Sequence, residues 1–377
     1  MFESVLVADR GLIACRVMRT CHRLGVKAVT VHSDADRHAM HTRLADEAIL
    51  LGGTDADESY NDVERLIEAA EVAGAEALHP GRSFLAEEPA AAAAVTAAGL
   101  TWIGPGPATL SVRTDAARQA AALAGAELPA APDGVPADLE VQLLGLGDGQ
   151  VLVLGTRTVT LQAADRPTVV EAPAAIPDPV RAVAEHAAAR FGEAVGLVGL
   201  ATVDLALTGP QRDVPAFVTS RDRLQIGHSV TELVTGLDLV EQQLSIAADD
   251  DPALDPDAFR PGDDPTDGGY AVSARVSAVG TIEPVRIARW HAPDGDGIRV
   301  HASYRKGDRF APYYEPLLAE VAAWGPDRRT ARRRLLEALE DFEIDGPAYD
   351  AAAVAARLRS AAWLESEARG SGDRHGH

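Results

Sequence analysis

The chain has 377 residues, 46% of them hydrophobic, enough to bury a substantial core divided among two or three packed units. Its net charge is −22, from 35 Lys and Arg against 57 Asp and Glu, and no basic stripe is visible along the sequence. Nucleic acids and anionic membranes bind clustered cations, and no apolar run is long enough to cross a bilayer, so we expect a cytoplasmic protein that contacts neither.

The first 112 residues alternate strand-like and helix-like segments. Helical spacing follows the first apolar run and recurs at residues 62–73, which predicts a doubly wound, Rossmann-like parallel sheet. In such sheets ligands bind beyond the carboxyl ends of the strands, although the polar residues there are equally typical of ordinary turns. The apolar runs cover residues 3–9, 26–32, 47–51, 75–79 and 100–104.

The two cysteines, Cys15 and Cys21, fall on the first predicted helix. Their spacing suits neither a disulfide framework nor a closed zinc site, so we expect buried free thiols.

The pattern changes after residue 112. Residues 115–126 predict an alanine-rich helix, and a linker rich in proline, glycine and aspartate follows at 128–138. Glycines at 145–149 lie between two strand-like runs with no helix after them, which indicates a hairpin turn rather than a phosphate loop. The rest is α+β with antiparallel pairing, and residues 367–377 are predicted to be a disordered tail. Strands are predicted at 139–144, 150–154, 158–162, 199–207, 214–219, 270–276 and 282–291, and helices at 179–192 and 328–339.

Several segments together resemble biotin carboxylase and the N-terminal part of acyl-CoA and pyruvate carboxylases. They are residues 7–14, 31–36, 79–87, 102–105, 230–239 and 311–314. The resemblance implies a pre-ATP-grasp domain at 1–112, a residual ATP-grasp core at 139–265 and a biotin carboxylase C-terminal-like domain at 266–366. It also implies a homodimer, or a heteromer with an intact relative.

The resemblance has one large gap, where the family carries the lid of its ATP-grasp fold. That lid is a subdomain with a glycine-rich loop and a lysine that contacts the nucleotide phosphates. Only residues 113–138 stand in its place, too few to bury a core of their own. We therefore expect ATP and magnesium to bind weakly or not at all.

Reactive positions of the family are also changed. Pro167 stands where the family has a lysine, and Asp165 where it has a histidine. Gly227 stands in place of the glutamate that acts as the base toward bicarbonate, and glycine has no side chain to accept a proton.

The metal-binding positions are altered in the same way. Asp204 stands in place of the first metal-binding glutamate and remains a candidate magnesium ligand. Thr219 replaces the bridging carboxylate, and Arg221 replaces the metal-binding amide. The resemblance therefore places a cation opposite the expected Mg²⁺ position.

Three residues match positions that bind or stabilise anions in the family. Arg223 and Gln225 correspond to bicarbonate-binding positions, and Arg299 to the arginine that stabilises the reacting carboxyl group. Guanidinium groups suit carboxylates and bicarbonate. The alternative is that these arginines pair with nearby acids such as Asp204 and Asp222.

Three functions follow. The first is a catalytically inactive accessory or regulatory subunit that binds a biotin carboxylase, a carboxyltransferase or a biotin-carrier subunit. The second is an active ATP-dependent ligase with an altered site or a lid supplied by a partner. The third is a sensor of bicarbonate or small carboxylates. Neither lysine, Lys27 or Lys306, has the Ala-Met-Lys-Met context of a biotin acceptor, so we expect no covalently attached biotin.

Overall fold

The first layer of the structure is a five-stranded parallel sheet with helices on both faces. The structure is a computed structural model that describes residues 1–163, 166–250, 254–255, 259 and 268–359. The strands are β1 Ser4–Val7, β2 Lys27–His32, β3 Glu47–Leu50, β4 Ala77–His79 and β5 Thr101–Trp102, in the order β3-β2-β1-β4-β5. The helices are α1 Gly11–Arg23, α2 Met40–Leu44, α3 Val63–Ala73, α4 Pro89–Ala97 and α5 Pro107–Leu110. The predicted doubly wound sheet is confirmed.

Helix α1 shows how this layer joins the rest of the molecule. Its apolar side chains pack both under the parallel sheet and against the second sheet, in one continuous cluster. Cys15 and Cys21 lie on this helix as buried free thiols, as expected, and burial raises the pKa of each to about 12. The two layers therefore share a core.

The second sheet has eight antiparallel strands. Its order is β10-β9-β6-β7-β8-β11-β16-β14. The strands after β5 are β6 Leu139–Leu146, β7 Val151–Ala163, β8 Arg166–Ala172, β9 Val198–Thr208, β10 Val214–Arg221, β11 Tyr270–Ser277, β12 Val285–Arg286, β13 Arg289–His291, β14 Ile298–Ala302, β15 Arg309–Phe310, β16 Leu317–Gly325 and β17 Glu343–Asp345. Of these, β12 pairs with β15 and β13 with β17 in two separate two-stranded sheets. The remaining helices are α6 Ala116–Gly125, α7 Asp178–Ala194, α8 His228–Thr235, α9 Leu239–Ala247, α10 Arg328–Asp341 and α11 Ala351–Leu358.

Two details of this sheet differ from the sequence prediction. The runs at 150–154 and 158–162 are one long strand, β7, which continues through Gly155. Strand β11 pairs directly with β8, so one sheet spans both sides of the domain boundary predicted near residue 265. That boundary and the predicted tail at 367–377 lie outside the described residues and stay predictions.

The segment between α6 and β6 lies along the edge of the second sheet. The backbone N–H of Ala131 donates to Phe217 O, and that of Phe217 donates to Pro129 O, both at 2.7 Å. The Asp138 carboxylate accepts a hydrogen bond from Leu207 N at 2.7 Å. We call residues 127–138 the strap. It covers the edge strand β10, whose backbone groups would otherwise be open to pairing with another chain.

Helices cover both faces of the second sheet. On one face, α6 and α7 pack on β6, β7 and β9, and α10 and α11 pack on β11 and β16. On the opposite face, α8 packs against β8 and β11. No helix within the described ranges combines the length and the apolar character needed to cross a bilayer.

The turn after β4 generates a stability prediction. Gly81 has a φ of +59°, and a Cβ at this position would overlap the carboxylate of Asp9. Gly99 has a φ of +84° with no atom near its missing Cβ. We expect Gly81→Ala to lower the free energy of unfolding by more than about 2 kcal/mol and Gly99→Ala by about 1 kcal/mol, measured by urea denaturation. Equal losses would show that the contact with Asp9 is unimportant.

Candidate functional site

The candidate metal ligand Asp204 makes an ion pair with Arg221. Strands β9 and β10 bring them together, and Arg221 Nη2 lies 2.6 Å from Asp204 Oδ2. Only 1% of Asp204 is exposed, and its Oδ1 has no hydrogen-bond partner. Glu140, directly opposite Asp204 on β6, lies 3.6 Å from Arg221 through its Oε1. The arginine therefore bridges two buried carboxylates.

A second arginine completes this group. Arg157 on β7 is fully buried, and its Nη2 lies 3.1 Å from Glu140 Oε2. Its Nη1 donates to Gln142 Oε1 at 3.0 Å. We call Arg157, Glu140, Arg221 and Asp204 the charge cluster, because positive and negative groups alternate along it. Burial, and then the Glu140 carboxylate, raise the pKa of Asp204 to about 7.

The residues at this place do not fit a magnesium ion. A hard divalent cation needs several free oxygen ligands, but Arg221 already occupies one oxygen of Asp204. The hydroxyl of Thr219 donates to Ser220 O at 3.3 Å and offers no carboxylate. The described part of the chain contains no group of three His, Cys, Asp or Glu side chains that could hold a metal.

Gly227, where the resemblance expects a glutamate base, lies against Val170 of β8. Gly227 precedes α8, and a Cβ built on it would lie 3.4 Å from Val170 Cγ2. Its carbonyl oxygen accepts a hydrogen bond from Arg157 Nη1 at 3.2 Å. Gly227 therefore contacts the charge cluster through its backbone carbonyl, and a Cβ at this position would make an ordinary van der Waals contact with Val170.

Arg223 and Gln225 lie just before α8. Arg223 Nε is 3.1 Å from Glu87 Oε2, and Arg223 also donates to the backbone carbonyl of Arg82. Burial lowers the pKa of Arg223. The amide nitrogen of Gln225 is buried and has no hydrogen-bond partner.

Arg299 belongs to a different ion-pair group. Its Nη1 lies 2.9 Å from Glu232 Oε2, and the other oxygen of Glu232 is 2.6 Å from Arg16 Nη2. Arg16 also pairs with Asp238 at 2.8 Å. The structure thus gives Arg223 and Arg299 separate carboxylate partners. The alternative of internal pairing describes both arginines, but with Glu87 and Glu232 rather than Asp204 or Asp222.

The sequence analysis missed one arginine, Arg275. It lies in the middle of β11, and its guanidinium makes no hydrogen bond or ion pair with any described residue. Burial, and then the charge of Arg82, lower its pKa to about 10. The signal was a charged residue inside a strand whose alternate residues, such as Val272 and Val276, are buried in the core. Arg275 lies directly opposite Glu320 on β16, whose carboxylate counters the fall in the pKa of Arg275 without forming an ion pair with it.

Two altered family positions carry less structural information. Asp165 lies outside the described residues. Pro167 belongs to β8, where its backbone pairs with Gln162 of β7. Their chemical roles stay predictions.

The charge cluster predicts a large cost for removing one partner. Arg157→Met leaves Glu140 buried next to fewer positive charges, so we expect the free energy of unfolding to fall by about 3–5 kcal/mol. The double variant Arg157→Met/Glu140→Leu should recover most of this loss. Arg190→Met, which breaks an exposed pair with Glu127, should cost less than about 1 kcal/mol. Urea denaturation measures all three, and additive losses in the double variant would contradict the coupling.

Asp222 predicts a dependence of stability on pH. Burial, and then Glu87, raise the pKa of Asp222 from 3.8 to about 7. The folded chain therefore retains a proton that the unfolded chain releases within this range, so the free energy of unfolding falls as the pH rises through it. We expect Asp222→Asn to flatten the fall between about pH 4 and about pH 7, while the exposed control Asp133→Asn leaves it unchanged. A slope that Asp222→Asn does not alter would argue against the raised pKa.

Comparisons with known proteins match most of the chain. The biotin carboxylase N-terminal domain model matches residues 1–110 and the biotin carboxylase C-terminal domain model matches residues 280–369. The model of the carbamoyl-phosphate synthase L chain ATP binding domain matches residues 134–252. None of these three matches covers residues 111–133.

Whole-length relatives agree with this division. Biotin carboxylase of Pseudomonas aeruginosa is 29% identical over 92% of this chain and 92% of its own length. That alignment spans 424 positions, more than this chain contains, so the relative carries residues that have no counterpart here.

Solved structures show the same fold. The biotin carboxylase domain dimer of Hydrogenobacter thermophilus 2-oxoglutarate carboxylase, in complex with MgADP, ADP and bicarbonate, has a TM-score of 0.88 at 26% identity, over 97% of this chain and 96% of that chain. Urea carboxylase of Kluyveromyces lactis has a TM-score of 0.89 at 31% identity, over 97% of this chain but only 32% of that one. By sequence and by fold, the chain belongs to the biotin carboxylase family and has an ATP-grasp core.

Proposed function

We propose that this chain is a catalytically inactive member of the biotin carboxylase family that acts as an accessory or regulatory subunit of a biotin-dependent carboxylase in the cytoplasm. The observation that carries the proposal is the strap. Where the resemblance expects the lid, this chain has α6 and a short segment hydrogen-bonded to β10. Such a segment cannot close over a nucleotide, and closure is what keeps water from a reactive intermediate.

The charge cluster supports the same proposal. Arg221 provides a fixed positive charge beside Asp204, so the carboxylate is neutralised from within the chain. Gly227 offers no base next to it. Nucleotide and magnesium are therefore expected to bind weakly or not at all, and no lysine is placed to carry biotin.

A protein partner follows from the proposal, since an inactive component of a carboxylase exerts its effect only through another protein. Relatives include the small subunit of 2-oxoglutarate carboxylase from Hydrogenobacter thermophilus and the alpha subunit of mitochondrial methylcrotonoyl-CoA carboxylase from Oryza sativa. A biotin carboxylase, a carboxyltransferase or a biotin-carrier subunit is the proposed partner. Assembly as a dimer or as a heteromer with an intact relative belongs to the same proposal.

The direct test measures release of ADP from ATP, magnesium, bicarbonate and free biotin by the purified chain. The biotin carboxylase of Pseudomonas aeruginosa serves as the active control. We expect no turnover that depends on bicarbonate, and no heat of binding in a calorimetric titration with millimolar ATP and magnesium. Bicarbonate-dependent turnover would support an active ligase instead, and turnover that appears only with a partner would indicate a lid supplied in trans.

A second candidate function, sensing of bicarbonate or a small carboxylate, is favoured by Arg275 and Gln225. Arg275 has no paired carboxylate, and the buried amide nitrogen of Gln225 has no acceptor. An anion would satisfy both groups if it reached them.

This candidate predicts that bicarbonate or acetate raises the melting temperature of the chain, because a ligand that binds only the folded state stabilises it. We expect Arg275→Met to abolish the rise and Arg299→Met to preserve it, since Arg299 is already paired with Glu232. A rise that depends on Arg299 instead would favour the pocket inferred from the sequence. The absence of any rise would remove the sensor.

A further inference from the structure

The short ribbon of β12 and β15 places like charges opposite each other. Arg286 on β12 is the direct cross-strand partner of Arg309 on β15. Arg305 and Lys306 lie in the turn that leads into β15, and all four side chains are exposed. Like charges directly opposite in an antiparallel pair are destabilising. We call these four residues the basic ribbon.

The basic ribbon has no counter-ions within the part of the chain that the structure describes. None of its four side chains makes an ion pair, although the chain carries 57 acidic residues. The nearest buried acid, Asp308, is committed to Arg43, with 2.6 Å between Asp308 Oδ1 and Arg43 Nη2. Glu283 is exposed on the segment before β12 and pairs with none of them. The basic ribbon is therefore a positively charged patch on a chain whose net charge is −22.

A cleft of about 270 Å³, lined by both polar and apolar groups, adjoins the basic ribbon. Phe310, which follows Arg309 on β15, is one of its walls. Ile282 at its rim is 87% exposed, and the neighbouring Val279 and Tyr313 are 53% and 57% exposed. Large apolar side chains exposed around a cleft mark interaction sites.

We propose that the basic ribbon and this cleft form one docking surface for a protein partner that presents carboxylates around an apolar side chain. The cleft is smaller than the roughly 300–1,000 Å³ typical of small-molecule pockets, and suits a single inserted side chain. The cations beside it complement an acidic rim and steer association with an acidic partner.

Charge argues for a protein rather than a nucleic acid or a membrane as the occupant. Four cations are a small patch on a chain with a net charge of −22, and a polyanion would be repelled by the remaining surface. An acidic patch on a folded partner covers only the ribbon and the cleft. The identity of the partner rests on the proposed accessory function, but the chemistry of the surface does not.

The test uses the full chain and a fluorescent peptide of twelve residues in which one tryptophan is flanked by glutamates. A matched peptide with lysines in place of the glutamates is the control. We expect fluorescence anisotropy to show binding of the glutamate peptide alone, weakening as salt increases.

Variants of the chain locate the site. Arg305→Glu/Lys306→Glu/Arg309→Glu should weaken binding at least tenfold, and Ile282→Ser at least fivefold without any change of charge. The control triple variant Arg118→Glu/Arg190→Glu/Arg212→Glu changes the net charge equally and should leave binding within twofold. Because Ile282 is almost fully exposed, Ile282→Ser should fold normally.

Other results would overturn the docking surface. These are no binding of the glutamate peptide, equal binding by the wild type, the triple ribbon variant and Ile282→Ser, or tighter binding of duplex DNA or phosphatidylglycerol vesicles through the same cations. Bicarbonate-dependent turnover with intact peptide binding would contradict only the accessory function. A chain that has no turnover and does not bind the glutamate peptide would contradict only the docking surface.

Discussion

The ion pair between Arg221 and Asp204 is the interaction on which the chemistry of the ATP-grasp core depends. It joins the end of β10 to the middle of β9 and lies beside the buried pair of Glu140 and Arg157. Two buried carboxylates on neighbouring strands would repel each other if no cation lay between them. In this chain an arginine supplies that cation permanently. The carboxylates of Glu140 and Asp204 are therefore paired with arginines inside the sheet. In a metal-dependent site, such carboxylates would be free to bind the metal.

The strap has a comparable structural role at the edge of the same sheet. It covers β10 through two backbone hydrogen bonds and holds Leu207 N through Asp138. A lid domain must swing away from the sheet, whereas the strap is bonded to it. The β10 edge of the sheet is therefore covered by a segment that is hydrogen-bonded to it. Together, the strap and the charge cluster leave an intact family fold with altered groups in its cleft.

The arginines divide into those that balance internal charge and those that do not. Arg223 and Arg299 each have a carboxylate partner, in separate groups. Within the described residues, Arg275 on β11 and the four side chains of the basic ribbon form no ion pair. Since a paired guanidinium must give up a partner before it binds a ligand, the unpaired ones are the better candidates for recognition. The proposed inactivity and the proposed binding of a partner are thus compatible within one fold.

The sequence by itself determined the family, the parallel sheet of the first layer and the hairpin after β6, whereas the loss of the lid and base is an expectation that follows from the resemblance. These features depend on local patterns and on segments in a fixed order, which a linear chain displays directly. Only the tertiary structure decided that β7 is one strand, that β8 pairs with β11, and which acid faces each arginine. The charge partners come from distant parts of the chain: Arg223 meets Glu87, and Arg299 meets Glu232. Spacing along the sequence cannot reveal such pairs, because strand register and packing set the distances between charges.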